Sequence, residues 1–327
     1  TIARAINTGI MYPHSFVGCH AGDRESWDDF KDFFYPVIEA YHVGFSMETG
    51  AVMEGTPSER MNPAMITVDL SESAQAKIIS TRIRIARNFS MFPLNPGGTA
   101  ESRVAITEML RTVYDNLDVD ELKGDMFLHS TMSDEQRQGL IDDHFLFRGA
   151  DVMQAASGYH EHWPIGRGVF HNKEKTFVNW INEGDHIRII SMRMGSDVKG
   201  VFELLSKGAK AIEDGVRAAT GAEEPFMMHP KFGAVTCCPS NLGTGMRASV
   251  HLKIPNLTSD GTDTKAKEAA KPLGLSVRGT GGEHTPIGAD GTVDISPSNR
   301  LFISEAEIVT KLYNGVKLLL EQEAAAA

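Results

Sequence analysis

Residues 80–84 read Ser-Thr-Arg-Ile-Arg, and this short stretch decides the fold because its polar and apolar side chains alternate. Successive side chains of a β-strand point to opposite faces of a sheet. Arg82 and Arg84 therefore share one face of a predicted strand, and Ile83 lies on the other. Residues 247–251, which read Arg-Ala-Ser-Val-His, repeat this alternation far along the chain. Both segments predict strands with one apolar face and one open face of basic side chains.

Two more basic stretches indicate what these strands bind. Residues 186–188 read His-Ile-Arg, and residues 277–280 read Val-Arg-Gly-Thr. The chain as a whole has a net charge of -11, so arginines gathered on an open sheet face need an anionic ligand. Nucleic acid is disfavoured, because binding a phosphate backbone requires a broad basic surface. The local clusters instead indicate a small anion, and a nucleoside triphosphate fits best.

Length and composition limit the class of protein. A chain of 327 residues can bury a substantial core and predicts two domains. It has no apolar run long enough for a membrane span. Three cysteines argue against a disulfide scaffold and favour a reducing, cytoplasmic setting. The first residue is Thr1 rather than methionine, so we expect residues upstream, as in a longer chain or a larger assembly.

The order of elements predicts an α+β fold, because consecutive strands without intervening helices favour an antiparallel sheet with helices around it. A helix is predicted over 25–42, after a loop over 7–22. A polar connection over 51–75 marks a domain boundary. Capping boxes at Ser133 and Ser304 predict two helix starts. Strands are predicted over 79–87, 166–171, 175–182, 186–192, 234–238 and 247–254, and further helices over 101–117 and 197–218.

Five longer motifs identify a family. They are Leu-Ile-Asp-Asp-His-Phe-Leu-Phe (140–147), Trp-Pro-Ile-Gly-Arg-Gly-Val-Phe-His-Asn (163–172), Asn-Glu-Gly-Asp-His-Ile-Arg (182–188), Cys-Pro-Ser-Asn-Leu-Gly-Thr-Gly (238–245) and Arg-Gly-Thr-Gly-Gly-Glu-His-Thr (278–285). With these motifs the sequence resembles the phosphagen kinases, the ATP:guanidino phosphotransferases, and arginine kinases most of all. The resemblance implies a small all-α N-terminal domain with a guanidino-specificity loop (1–55), a linker (56–78) and a larger ATP-binding catalytic domain with a helix-flanked antiparallel sheet (79–327).

The resemblance also implies a nucleotide site. Guanidinium groups fit phosphate oxygens bidentately and stay charged at any working pH, so arginines suit this role. Magnesium would arrive bound to ATP, and no metal site made by protein ligands is expected. Phosphate contacts are implied for Arg82, Arg84, Arg188, Arg247 and Arg278, with Arg188 also catalytic, and nucleotide contacts for Ser80, His144 and His251.

The acceptor site matches the family only in part. Cys238 and Glu283 match the reactive cysteine and one of two carboxylates that orient the guanidino acceptor, and cations near Cys238 should lower the pKa of its thiol. The other carboxylate is replaced by Gly184. Strand alternation would turn Gly184, His186 and Arg188 toward the site and Glu183 and Asp185 away from it. No neighbour would then replace the lost carboxylate.

The loop over 9–21 is short, as in arginine kinases, and bears on the acceptor. By resemblance, Ser15, Val17, Gly18 and His20 contact it, although His20 replaces a tyrosine of the family. L-Arginine is therefore the leading acceptor, and taurocyamine or a related guanidino compound is the alternative. A second hypothesis is a nucleotide-binding structural relative that Gly184 has impaired.

Overall fold

The computed structural model describes residues 2–15, 17–42, 44–48, 57–147, 149, 152–281 and 285–327. Three helices open the chain: α1 (Ile2–Met11), α2 (Ser26–Asp29) and α3 (Lys31–Tyr41). We predicted a single helix over 25–42, but the backbone leaves helical geometry at Phe30, where φ is -112° and ψ is 33°. The loop was predicted over 7–22, but α1 covers its first five residues, Asn7 to Met11, and Tyr12 N still donates to the carbonyl of Thr8.

An eight-stranded antiparallel sheet forms the centre of the larger part of the chain and confirms the α+β prediction. The strands are β1 (Ile78–Arg87), β2 (Gly124–Leu128), β3 (Gly168–Asn172), β4 (Phe177–Ile181), β5 (Ile187–Met194), β8 (Met246–Lys253), β9 (Leu275–Arg278) and β10 (Thr292–Pro297). Their spatial order in the sheet is β2-β3-β4-β5-β1-β8-β10-β9. Two short strands, β6 (Met228–His229) and β7 (Gly233–Ala234), form a separate ribbon.

The strand predicted over 234–238 is wrong beyond Ala234. The backbone amide of Cys237 donates to the Asp185 carboxylate at 2.9 Å instead of joining a strand ladder. Pro239 then begins a short 3-10 turn. Both changes take this segment out of the sheet.

Helices cover one face of the sheet. Helix α9 (Val198–Thr220) packs on β5 and β1, and α11 (Glu305–Ala325) packs on β8 and β10. Helix α6 (Ala100–Asp115) packs on α9. Both predicted capping boxes are confirmed, at Ser133 before α7 and at Ser304 before α11. Within the described residues, no helix is both long and apolar enough to cross a membrane. The helices after α3 are α4 (Pro57–Arg60), α5 (Glu72–Gln75), α6 (Ala100–Asp115), α7 (Asp134–Asp142), α8 (Val152–Ala156), α9 (Val198–Thr220), α10 (Thr264–Ala270) and α11 (Glu305–Ala325).

Strand register brings the basic side chains onto the face that these helices leave open. Arg84 of β1 lies directly opposite Arg247 of β8, and Ala86 lies opposite Arg188 of β5. Ile83 and its apolar neighbours on the other face are buried in the core. Since paired residues share a face, the predicted alternation places arginines from three adjacent strands side by side.

A buried charge cluster ties α4 and β1 to the start of α11. The Glu305 carboxylate is fully buried and lies 3.2 Å from Arg60 Nε and 3.4 Å from Arg87 Nη2. Arg87 Nη1 also donates to the carbonyl of Thr244, beside the strand that carries Arg247. One carboxylate thus offsets two buried guanidinium groups under the basic face.

Replacing Glu305 with glutamine should destabilise the fold strongly, because Arg60 and Arg87 would both stay buried and lose the carboxylate that pairs with them. Breaking a buried ion pair costs about 3–5 kcal/mol. We expect a loss of that size in the free energy of unfolding, measured by urea denaturation followed by circular dichroism. The matched control is Glu321→Gln on the exposed side of the same helix. Equal stability of the two variants would contradict the prediction.

Candidate active site

A cavity of about 280 Å³ opens where the basic sheet face meets the N-terminal helices. Four predicted phosphate-binding arginines line it together with Cys238 and the predicted loop contacts. The arginines come from four different strands, β1, β5, β8 and β9. The fold therefore brings together segments nearly 200 residues apart, and the predicted residues that line the cavity are Ser15, Val17, Gly18, His20, Arg84, Arg188, Cys238, Arg247 and Arg278.

The arginines repel one another. Burial lowers the pKa of Arg84 well below its ordinary value, and Arg188, followed by other arginines of the cluster, adds to the effect. Like charges directly opposite each other in a sheet are destabilising. A cluster of this kind is favourable only when an anion neutralises it. The cavity is thus prepared for a polyanionic ligand.

A single carboxylate partly balances the β8 side of the cluster. Asp294 of β10 forms an ion pair with Arg247 and lies 3.8 Å from His251 Nε2. In the sheet register, Asp294 stands between His251 and Arg278. Asp294 therefore holds Arg247 against the sheet.

The remaining predicted nucleotide residues lie around the cavity rather than in its wall. The guanidinium of Arg82 lies 5.5 Å from the ring centroid of Trp180, and burial, followed by Arg247, lowers its pKa to about 10. Ser80 lies two residues before Arg82 on the same face of β1, directly opposite His251 of β8. His144 is exposed in the turn after α7. Glu283 lies outside the described residues, so its predicted role stays a prediction.

Residues 182–186 form a tight turn between β4 and β5, and this corrects the predicted alternation. Asn182 has a φ of 53°, and its amide donates to the carbonyl of His186. His186 was predicted to face the site but is fully buried, and its ring bonds to Phe89 N at 3.0 Å and to Pro93 O at 2.8 Å. Burial lowers the pKa of His186 to about 4, so the ring is neutral. Strand alternation does not apply to a turn.

The same turn brings Glu183 inward, contrary to prediction. Its Oε2 lies 3.0 Å from Arg188 Nη1, and its Oε1 accepts a 2.8 Å bond from Gln154 Nε2. Burial opposes ionisation of this carboxyl, but Arg188, Gln154 and the amide of Gly184 outweigh it and lower the pKa. A buried carboxylate therefore stands beside the arginine cluster. Asp185 points away, as predicted, and accepts a bond from Asn88.

Four residues of the segment over 9–21, namely Ser15, Val17, Gly18 and His20, line one end of the cavity. The amide of Gly9 donates to the carbonyl of Gly18 at 2.7 Å. Gly18 has a φ of 72°, and a Cβ there would lie 3.0 Å from the Gly9 Cα, so glycine is required. His20 Nδ1 lies 3.5 Å from Thr8 Oγ1, and the His20 ring packs edge-to-face with the Tyr159 ring. These contacts fix Gly18 against Gly9 of α1 and place His20 between Thr8 and Tyr159.

Cys238 departs from prediction in its acidity. Its Sγ lies 3.0 Å from Ser240 Oγ, at the cavity wall. Burial raises the pKa of the thiol above its ordinary value of 9.0, and the opposing effects of Ser240 and Arg188 are weaker. The thiol of Cys238 is therefore neutral at pH 7, whereas Cys237 is fully buried, as predicted for a packing residue.

Alkylation by iodoacetamide at different pH values tests whether the pKa of the Cys238 thiol is raised. Because the folded pKa is raised above 9.0, the thiolate should be scarce at pH 7, and the labelling rate should keep increasing as the pH rises past 9. Stopped-time mass spectrometry of the peptide containing Cys238 would measure the rate, with Cys238→Ser as the control. A rate that is already constant between pH 7 and 8 would show that the thiolate exists in the empty site.

Several cavity residues were missed by the sequence analysis. Arg300 lies in the loop after β10, where burial, followed by Arg247, lowers its pKa to about 10. It follows no alternating pattern, so no local signal marks it. Gln154 sits on α8, which is too short for a helical period to reveal. The cavity residues without a sequence prediction include Thr8, Tyr41, Met153, Gln154, Ser240, Asn241 and Arg300.

Comparison with known proteins places this site in a family. The family model described as ATP:guanido phosphotransferase, C-terminal catalytic domain, matches residues 105–326, and the N-terminal domain model matches residues 1–39. The arginine kinase of Plodia interpunctella is 38% identical over 323 residues, which are 99% of this chain and 86% of that protein. The arginine kinase of Limulus polyphemus is 38% identical over 327 residues, which are 100% of this chain and 87% of that protein.

Solved structures agree. A lombricine kinase is 35% identical and superposes with a TM-score of 0.89, covering 99% of this chain and 85% of its own. The substrate-free duplicated taurocyamine kinase from Schistosoma mansoni is 33% identical with a TM-score of 0.85, covering 99% of this chain and 43% of its own. The chain therefore belongs to the ATP:guanidino phosphotransferases, the phosphagen kinases, as its motifs predicted. Its function is that of a phosphagen kinase, with ATP as a substrate.

Proposed function

We propose that this chain transfers the γ-phosphoryl group of MgATP reversibly to L-arginine. The observation that carries the proposal is that arginines from four strands share one cavity with the loop over 9–21 and Cys238. Phosphoryl transfer requires mainly positioning and charge stabilisation from a protein. The cavity offers both functions in one place.

In the proposed reaction, a guanidino nitrogen bonds to the γ-phosphorus while the bond from that phosphorus to the leaving oxygen of ADP breaks. The same nitrogen would release a proton to a carboxylate of the acceptor site, a role that the resemblance gives to Glu283. Arg84, Arg188, Arg247 and Arg278 would hold the phosphates and offset the charge that builds up on them. Magnesium would enter with ATP as part of the substrate. Cys238 and Glu283 would orient the acceptor.

The choice of acceptor rests on the loop over 9–21. The relatives named above include arginine kinases, a lombricine kinase and a taurocyamine kinase. The short loop favours arginine, whereas His20 in place of the family tyrosine favours a different tail on the guanidino compound. Taurocyamine is therefore the second candidate. A nucleotide-binding relative without transfer activity is the third, and Gly184 is the feature that favours it.

An assay of ADP formation tests the proposal. The purified protein would be supplied with MgATP and with arginine, taurocyamine, lombricine or creatine in turn, and phosphorus NMR would detect the new nitrogen–phosphorus bond. We expect turnover with arginine above that with the other acceptors, and none with creatine. If only taurocyamine is turned over, taurocyamine rather than arginine is the substrate. Nucleotide binding without turnover on any acceptor would establish the inactive relative.

A further inference from the structure

Glu183 forms a buried pair with Arg188 and lies behind Arg188 and Gln154, which both line the cavity. Only 9% of the Glu183 side chain and 16% of the Arg188 side chain are exposed. The second oxygen of the carboxylate is held by Gln154, which itself lines the cavity and whose Oε1 lies 3.2 Å from His160 Nε2. The carboxylate is thus held in place from both sides.

The missing side chain at Gly184 gives the Arg188 guanidinium room in this position. A Cβ built on Gly184 would lie 3.0 Å from Arg188 Nη2. The guanidinium therefore lies over the space in which the side chain of the family glutamate would begin. A guanidinium and a carboxylate that both belong to the protein are thus already paired here.

We propose that Glu183 is the carboxylate that receives the acceptor guanidinium, and that the acceptor replaces Arg188 on it when the nucleotide binds. This inference rests on the proposed function. Arg188 lies opposite Ala86 on the same sheet face as Arg84, within the cluster that a polyphosphate would neutralise. Bound phosphate would draw Arg188 toward the cluster, because an arginine–phosphate contact can be bidentate and doubly charge-assisted.

The exchange is chemically matched. Arg188 and the acceptor both present a planar guanidinium to the same oxygen of Glu183. If Arg188 left without a replacement, the buried carboxylate would be uncompensated, which is costly. The acceptor guanidinium removes that cost, so binding of the nucleotide and binding of the acceptor should reinforce each other.

The Glu183→Gln variant of the full chain tests this. A charge-assisted hydrogen bond is worth about 1.5–3 kcal/mol, which corresponds to a loss of about tenfold to a hundredfold. We expect the KM for the acceptor to rise, or kcat to fall, by that factor. The Kd for MgADP, measured by calorimetry, should stay the same or decrease, because Arg188 is released. The matched control is Glu108→Gln, which removes a carboxylate from a surface pair with Arg111.

A double variant and a binding experiment complete the test. Glu183→Gln combined with Gly184→Glu should recover much of the lost acceptor affinity, because the carboxylate returns one residue further on. In the unaltered protein, calorimetry should find tighter acceptor binding with MgADP present than without it. This second result does not depend on the variant folding.

Two results would overturn the inference. One is an acceptor KM and kcat in Glu183→Gln that match those of the control. The other is weaker binding of nucleotide and acceptor to the same extent, which would make Glu183 only a structural partner of Arg188. The proposed function fails separately, since it requires turnover by the unaltered protein. If the unaltered protein turns over normally and Glu183→Gln changes neither the acceptor KM nor kcat, only the inference is refuted.

Discussion

Replacing Arg84 with methionine should nearly abolish phosphoryl transfer and at the same time make the empty protein more stable. Arg84 lies at the centre of the cluster, directly opposite Arg247. An arginine that stabilises a transferring phosphoryl group is worth about 10³–10⁵ in kcat, and we expect kcat to fall by about 10³-fold or more. Methionine keeps an unbranched apolar chain in place of the arginine stem and removes the charged guanidinium.

The gain in stability has the same cause as the loss of activity. Burial, Arg188 and the other arginines all lower the pKa of Arg84, so its charge is unfavourable in the empty fold. Replacing buried charges with apolar groups is often neutral or stabilising by about 1–4 kcal/mol. Scanning calorimetry should therefore find an equal or higher Tm for Arg84→Met without nucleotide, and a smaller increase in Tm on adding MgATP.

A surface arginine provides the control. Arg217 on α9 pairs with Glu213 and Asp214 and is 42% exposed. Arg217→Met should leave kcat and the response to MgATP unchanged. If Arg84→Met lowered both Tm and activity, the arginine would be structural. If it left activity intact, the cavity would not be the phosphate site.

Local pattern accounts for what could be predicted from the sequence. The alternation in residues 80–84 and 247–251 needs only the two-residue period of a strand, and the structure places those side chains on the predicted faces. The capping boxes at Ser133 and Ser304 are equally local. Each signal is complete within a few residues, so tertiary structure does not alter it.

The errors lie where tertiary contacts decide the structure. The chain turns between β4 and β5 because Asn182 adopts a positive φ and Asn88 bonds to Asp185, and neither is visible in the alternating pattern. The acidity of Cys238 depends on burial, which is set by distant segments. Arg300 enters the cavity from an irregular loop. These features require knowledge of which remote segments meet.

Replacing Gly184 with glutamate should raise kcat, because it returns a carboxylate to the acceptor end of the cavity. The backbone at Gly184 does not need a positive φ, so a side chain is tolerated there. The new Cβ would meet only the end of the flexible Arg188 side chain, at 3.0 Å, and that end can move by a few tenths of an ångström. General-base assistance is typically worth about 10²–10⁴-fold. Since Glu183 already supplies a nearby carboxylate, we expect a gain at or below the lower end of that range.

Gly184→Gln separates the effect of charge from the effect of size. Glutamine fills the same space without a carboxylate, so it should leave kcat unchanged or lower it. The Kd for MgADP should change little in either variant, because the other arginines of the cluster remain. Steady-state kinetics on the best acceptor would measure the difference. Equal rates for Gly184→Glu and Gly184→Gln would mean that a carboxylate at this position does not reach the acceptor, and the activity of this chain would then depend on Glu183 and Glu283.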